Sequence, residues 1–224
     1  MITDLGLLRL LQLVSPGLPI GMYSYSQGLE RAVEDGLLTT EHTAGEWIAG
    51  IRDRCMARVD LPVIARLYDA WMADDHKAVE RWSNTLLACR ETAELRDEDR
   101  QTGQALARLW EALNPDTPQC WSRKPEATLA TLFALIGVRW GVPKHELLVG
   151  YLWSWIENQV LCAVKLVPLG QVAGQRLLSA LAEEVPSRVN EALTLTDEEI
   201  GGSVMGFALA SSRHEMQYSR LFRS

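Results

Sequence analysis

The densest group of chemically capable side chains is a charged run from Arg90 to Arg100. Asp97, Glu98 and Asp99 follow one another there, and carboxylate oxygens are preferred ligands of Mg²⁺. One interpretation is therefore a helical enzyme that binds magnesium and a diphosphate. The other is a solvated or partner-facing helix, because arginines are interleaved with the acids at three- and four-residue spacing. A magnesium site would place its acids on one face without competing cations, so the interleaving favours the second interpretation.

The histidines and cysteines lack the spacing of metal ligands. The four histidines are widely separated, at His42, His76, His145 and His214. His145-Glu146 and His214-Glu215 have no second histidine to complete an HExxH motif, and no two cysteines form CxxC. We therefore expect no intrinsic metal site.

Nucleotide and nucleophile chemistry have no sequence support. No stretch matches GxxxxGK[ST], and the segment Gly170–Gly174 lacks the lysine and hydroxyl of a phosphate cradle. No Ser/His/Asp or Cys/His arrangement can be singled out. We expect a chain that is not an enzyme and does not itself hydrolyse GTP.

The stretch from Ser211 to Ser224 combines basic and aromatic side chains. Three arginines against one glutamate give it a net charge of +2 within an acidic chain: Arg213, Arg220 and Arg223. One interpretation is a last helix that buries Tyr218 and Phe222 while its arginines complement the helix dipole. The other is a partner-binding segment, because Tyr and Arg dominate binding hot spots.

A second candidate surface is the corner that follows Pro19 and Gly21. We predict that Ser24 caps the next helix and that Tyr25 belongs to the core. Tyr23 is predicted to face outward as a rigid aromatic anchor, which suits partner binding.

These residues must be positioned by helices, because hydrophobic spacing is helical almost everywhere and no alternating run is long enough for a strand. The prediction is an all-α fold in a single domain spanning residues 1–224. In the first helix we expect a buried stripe formed by Leu7, Leu8, Leu11 and Val14. Thr196 and Glu199 predict a capping box for the last long helix. A loop is expected from Asn114 to about Lys124.

The most apolar stretch, from Leu147 to Val167, is interrupted by polar residues, which are Glu157, Asn158, Gln159 and Lys165. A membrane-spanning helix would not tolerate them at its centre, so we predict a buried core helix. The polar side chains either form an internal hydrogen-bond network or line a wet path or contact surface.

Composition restricts the partners and the compartment. The net charge is −7 and the sequence pI about 5.2. A negatively charged protein repels phosphate backbones and anionic lipid, so neither nucleic acid nor a membrane is expected as a partner. The four cysteines are widely spaced, at Cys55, Cys89, Cys120 and Cys162. Without a leader-like opening, they predict reduced thiols, no disulfides and a cytoplasmic location.

Five blocks together resemble a known family. They read LLRLLQLVSPGLPIGMYSYSQGLERAVEDG (7–36), RETAELRDEDRQTG (90–103), GVRWGVP (137–143), YLWSWIENQVLCAVKLVPLGQVAGQ (151–175) and SSRHEMQYSRLFRS (211–224). Their content and order are similar to the UreF family of urease accessory proteins. Met22 and Met216 depart from the residues usual there, Gly and Thr. The resemblance also supports a helical bundle of about ten helices.

The resemblance implies a non-catalytic scaffold for insertion of nickel into urease. It implies a homodimer that bridges a UreD-type (also called UreH-type) accessory protein and a UreG-type GTPase, docked on apo-urease. Nickel and GTP would be handled by these partners, with no cofactor of the chain's own. The family associates this complex with residues that match Tyr23, Tyr218, Ser219 and Arg220 here. With the neighbouring Arg213 and Arg223, these are the residues we expect to bind partners.

Overall fold

The computed structural model describes residues 1–115 and 121–224, and over these residues the regular structure is helical, without a strand. The α-helices in the described ranges are α1 (Asp4–Leu13), α2 (Leu29–Glu34), α3 (Glu41–Ile51), α4 (Leu61–Met72), α5 (His76–Ala88), α6 (Ala93–Leu113), α7 (Leu129–Arg139), α8 (Lys144–Leu166), α9 (Gln171–Glu183), α10 (Val185–Thr194) and α11 (Met205–His214). Residues 116–120 of the predicted loop, including Cys120, lie outside the described residues.

Two of these helices continue into the next with little interruption. A π-helical segment, Arg52–Asp60, joins α3 to α4, and α9 reaches α10 through the single residue Glu184. The all-α prediction is confirmed, and the number of helices agrees with the expected count of about ten.

The long helix α8 lies at the centre of the molecule and packs against α2, α4, α9 and α10. By length and composition alone it is apolar enough to cross a membrane, but 72% of its most apolar stretch is buried in the protein. The prediction of a core helix is therefore confirmed. Asn158 donates to the Tyr25 carbonyl at 3.0 Å, as an internal network requires. Gln159 is fully buried, and its amide atoms find no partner among the described residues.

Helix α1 buries a different face from the one predicted. Its buried residues are Gly6, Leu10 and Leu13, followed by Val14 at the helix end. Three residues of the predicted stripe are instead exposed, with relative accessibilities of 45% for Leu7, 63% for Leu8 and 54% for Leu11. Leucines surround most of this helix, so spacing alone permits more than one apolar face. Contact with α8 decides between them, because Gly150 leaves room for the Leu10 side chain.

Two capping predictions have different outcomes. The capping box of Thr196 and Glu199 is present, but it opens a short 3₁₀ helix, Asp197–Glu199, rather than a long helix. Ser24 does not cap α2, because it ends a 3₁₀ turn and Gly28 occupies the position before the helix. Tyr25 is buried, as predicted.

Helix α11 lies directly against the start of α2. Gly28 has a φ of +79°, and a Cβ atom there would lie 2.7 Å from the main-chain nitrogen of Ser211. Ser211 also shares a hydrogen bond of 2.8 Å with Thr92, the residue that caps α6. Helices α2, α6 and α11 therefore meet, and they position the residues that follow α11.

Candidate partner-binding surface at the C-terminal segment

The residues after α11, Glu215–Ser224, form an irregular segment, here called the C-terminal segment. Of the two interpretations of this stretch, the last helix that buries both Tyr218 and Phe222 is wrong, because α11 ends at His214 and Tyr218 is exposed. Phe222 is nevertheless buried, with Lys165 above its ring at 5.5 Å. The segment has left the helix to make contacts with the core.

One end of the C-terminal segment is bound to the corner that precedes α2. The main-chain N–H groups of Ser26 and Gln27 donate to the main-chain oxygen of Ser224 at 2.7 and 3.0 Å, and the Ser26 hydroxyl donates to it at 2.6 Å. The Arg223 N–H donates to the Ser24 carbonyl at 2.8 Å. The fold thus brings together the two regions that the sequence singled out separately.

Glu30 anchors the middle of the segment. One carboxylate oxygen accepts the N–H of Leu221 at 2.7 Å, and the other accepts the N–H of Phe222 at 3.0 Å. Glu30 is only 8% exposed. A buried carboxylate thus replaces the carbonyl partners that these main-chain groups would have in a helix.

His214 extends this anchor to α6. Its ring is completely buried, with Nε2 3.3 Å from the Glu30 carboxylate and Nδ1 2.8 Å from Glu94. The second oxygen of Glu94 accepts from Arg220 at 2.7 Å. We call these four residues, Glu30, Glu94, His214 and Arg220, the acid–histidine cluster.

Glu98, one turn beyond Glu94, completes the attachment. It accepts from the side chains of Ser224 at 3.2 Å and Gln27 at 2.8 Å. Burial raises the pKa of Glu98 from its ordinary value to about 8, so the side chain is mostly protonated at neutral pH. A neutral Glu98 avoids placing an unpaired charge beneath the segment.

The acid-rich run does not assemble into a magnesium site in the described structure. Asp97 is exposed, whereas Glu98 and Asp99 are buried beside a small cavity of about 40 Å³. Arg90 donates to both Asp99 and Asp60 at 2.5 Å, which occupies those carboxylates with a cation of the chain's own. Over the described ranges, no three His, Cys, Asp or Glu side chains converge as metal ligands.

The predicted partner-binding residues of the segment differ in orientation. The Tyr218 side chain is fully exposed, and Ser219 is exposed beside it. Arg213 is 63% exposed and contacts Asp35 at 3.3 Å. Arg223 is also exposed, and its guanidinium lies 3.5 Å from the side chain of Gln101. These residues are the exposed members of the predicted set.

Arg220 and Tyr23 are turned toward the chain itself. Arg220 donates to the carbonyls of Gln217, at 3.1 Å, and Glu215, in addition to Glu94. Tyr23 is half-buried rather than outward-facing, and its hydroxyl donates to Glu157 at 2.7 Å. Burial, together with this contact, raises the pKa of Tyr23. Both side chains therefore fix the surface rather than project from it.

Comparison with known proteins agrees with the resemblance. The family model UreF matches residues 38–182 of this chain. The chain belongs to the UreF family.

Relatives of the UreF family match nearly the whole chain. The urease accessory protein UreF of Alkalilimnicola ehrlichii is 54% identical, over 96% of this chain and 95% of its own length. The proteins of the same name from Teredinibacter turnerae and Hahella chejuensis are 49% and 43% identical, over 97% and 98% of this chain and 98% and 99% of their own lengths. The family match ends before α10 and so does not include the C-terminal segment.

The residues that hold the segment on this UreF-family fold were missed by sequence reasoning. For His214 a signal was present, because Phe207, Ala210, Ser211 and His214 follow the helical spacing of one buried face. Nothing in local spacing marks Glu30 or Glu94 as its partners, since they lie 184 and 120 residues away.

Large apolar side chains are also exposed on α11 and on the C-terminal segment. All are at least half exposed: Met205, Leu209, Met216 and Leu221. Exposed apolar groups on the same two elements as exposed arginines and a tyrosine have the composition of a protein-binding surface rather than of a solvated face.

Proposed function

We propose that this chain is a urease accessory protein that acts as a non-catalytic scaffold in nickel insertion. In this proposal it joins a UreD-type (UreH-type) accessory protein and a UreG-type GTPase to apo-urease, and those partners handle nickel and GTP. Membership of the UreF family and the name of the relatives support the role in urease maturation. The observation that carries the scaffold role is the fully exposed Tyr218 on a main chain that buried groups hold in place.

This surface is suited to binding because its main chain is held in place. Glu30 binds the main chain at Leu221, and Ser26 binds it at Ser224, so a partner need not order a flexible tail. Binding to a preorganised surface avoids much of the entropy cost of association. Tyr218 then serves as the central anchor, and the exposed Arg213 and Arg223 provide charge at the edge.

Arg220 has a different part in this proposal. Its guanidinium is bound to Glu94 and to two carbonyls of the C-terminal segment, so it positions the surface from within the chain. Arg220 therefore affects partners through the shape of the segment. Tyr23 acts in the same way at the neighbouring corner, through Glu157.

The proposed homodimer is assigned to the exposed leucines of α1. Leu7, Leu8 and Leu11 lie on one side of the helix, and Leu5 is exposed beside them. Each copy carries a net charge of −7, so two copies repel one another over most of their surface. This leucine face carries one exposed charge, Asp4 at its N-terminal end, and offers apolar contact with less of that repulsion. The occupant we assign to it is a second copy of this chain.

The described cysteines fit the proposed cytoplasmic location. Cys55, Cys89 and Cys162 are free thiols. Burial raises the pKa of Cys55 and of Cys162 to about 12, which keeps both protonated and unreactive.

Capture of purified partners tests the scaffold role. Tyr218→Ala is expected to weaken recruitment of the GTPase or of the second accessory protein by roughly 30-fold, about 2 kcal/mol, as for a typical hot spot. Met72→Ala removes another large exposed side chain, away from the segment, and is the matched control. Nickel counted per purified complex shows which component carries the metal. Unchanged capture of both partners by the Tyr218→Ala variant would contradict the proposal.

A further inference from the structure

His214 occupies an unusual position because both nitrogens of its buried ring face carboxylates. Nδ1 lies 2.8 Å from Glu94 and Nε2 lies 3.3 Å from Glu30. The side chain is completely buried, so water cannot replace either partner. The geometry therefore determines what the ring must carry.

An ionised carboxylate only accepts hydrogen bonds, whereas a neutral imidazole has one N–H donor and one lone pair. Only the doubly protonated ring can donate to both Glu30 and Glu94. A neutral ring would direct a lone pair at a carboxylate oxygen in a buried site, where repulsion is poorly screened. Both hydrogen bonds form when His214 carries two ring protons, and one of them is lost when it carries a single proton.

The charges around the ring come from three elements. Helix α2 contributes Glu30, α6 contributes Glu94, and the C-terminal segment contributes Arg220 on the far side of Glu94. With the ring doubly protonated, two cations face two anions. Among the other charged groups of these elements and of α11, Glu98 is buried. Those at the surface include Arg31, Glu34, Asp35, Asp97, Arg213, Glu215 and Arg223.

The ring is coupled to the C-terminal segment through a single atom. The Glu30 oxygen that faces Nε2 of His214 is also the oxygen that accepts the N–H of Phe222. Displacing this carboxylate therefore loosens the segment as well as the ring. On the other side, Glu94 couples the ring to Arg220 in the same way.

We propose that doubly protonated His214 is a latch that holds the C-terminal segment on the core. This inference rests on the proposed function for its consequence, because a loosened segment would bind partners more weakly. The latch itself is a property of the chain alone.

Hydrogen exchange of the Leu221 and Phe222 amides tests the latch in the full chain. Protection of both amides is expected to fall roughly tenfold or more in the His214→Gln variant, because a neutral amide cannot replace the charged ring between two carboxylates. His145→Gln changes an exposed histidine elsewhere and should behave as the wild type.

Glu98 also contacts Ser224, so the same comparison is made in a Glu98→Gln background. Replacing His214 should lower protection there by a similar factor. Equal protection in the wild type and in the His214→Gln variant would overturn the proposal.

Ring ¹⁵N shifts of His214 in the wild-type protein give a reading that needs no variant. A doubly protonated ring at neutral pH supports the latch, and a singly protonated ring overturns it. These measurements contain no partner. Failure to bind the GTPase would therefore refute the proposed function and leave the latch standing.

Discussion

Glu30 accepts the main-chain N–H of Phe222 at 3.0 Å, although the two residues are 192 positions apart. This contact makes the C-terminal segment part of the folded core rather than a tail. It also divides the segment's side chains into those that are buried, such as Phe222, and those that are exposed, such as Tyr218.

Glu30→Gln is expected to loosen the segment, because an amide offers only one oxygen to the two N–H groups and turns a donor toward the other. The free energy of unfolding should fall by about 2 kcal/mol. Tryptic cleavage after Arg220 and Arg223 should accelerate. Glu34→Gln, on the exposed side of α2, is the control and should change neither quantity. Equal cleavage of the Glu30→Gln variant and the wild type would show that Glu30 does not anchor the segment.

Arg220→Ala should weaken GTPase recruitment by about 2 kcal/mol while the melting temperature of the helical core stays nearly unchanged. The physical reason is loss of the links to Glu94 and to the carbonyls of Gln217 and Glu215. Arg220→Lys should not restore binding, because an ammonium group cannot reproduce the guanidinium fork. Arg108→Ala serves as the control in the same binding assay. Normal recruitment by the Arg220→Ala variant would show that Arg220 does not contribute to the binding surface.

Glu98 makes stability depend on pH. Burial raises its pKa from the ordinary 4.5 to about 8 in the folded chain, so the folded state keeps a proton that the unfolded state releases. Stability is therefore greatest below about pH 4.5 as far as this group is concerned, and decreases as pH rises to about 8. Glu98→Gln should remove a loss on the order of 4 kcal/mol between those limits. Urea unfolding at both ends of the range measures it, and identical pH dependence in the variant would exclude Glu98 as the cause.

Gly28→Ala is expected to separate α11 from α2. The new Cβ would lie 2.7 Å from the Ser211 nitrogen, and the φ of +79° adds backbone strain. We expect a loss of roughly 3 kcal/mol in the free energy of unfolding. Gly36→Ala has a similar φ, +75°, with open space around its Cβ, so the difference between the two variants isolates the close approach. Equal losses of stability in the two variants would show that the close approach of α11 to α2 does not contribute to stability.

Leu8→Glu tests the dimer contact assigned to α1. Leu8 is 63% exposed in one chain, so a charge there should leave the fold intact but would be buried between two copies. The dissociation constant is expected to rise roughly tenfold or more, since an unpaired buried charge is costly. Sedimentation over a concentration series measures the effect, with Met72→Glu as the control. A variant that dimerises normally places the contact elsewhere.

Local spacing predicted the helices well because amphipathic periodicity reports the face that each helix buries. It identified α8 as a core helix and Tyr25 as a core residue, and it found the capping box of Thr196 and Glu199. It failed at α1, where leucines on several sides leave the choice of face to contact with α8. The same limit applied to the C-terminal segment.

The site itself depends on contacts that no local pattern contains. Phe222 is buried by leaving the helix, because Glu30 and Ser26 supply hydrogen-bond partners that an extension of α11 would otherwise provide. The arginines of the segment were recognised as a group, but whether each faces inward or outward is set by distant acids. Arg220 turns inward to Glu94, whereas Arg213 remains at the surface.

The contact between Ser26 and Ser224 also orders events during biosynthesis. Residues 220–224 leave the ribosome after every helix of the described chain. The hydroxyl of Ser26 and the amides of Ser26 and Gln27 therefore lack their partner until Ser224 has been synthesised. Contacts of such long sequence separation form late in folding. The candidate surface therefore forms after the described helices, and a chain truncated within residues 220–224 cannot display it. Recruitment through this surface, if it is the proposed binding site, would select chains in which all of these helices have been made.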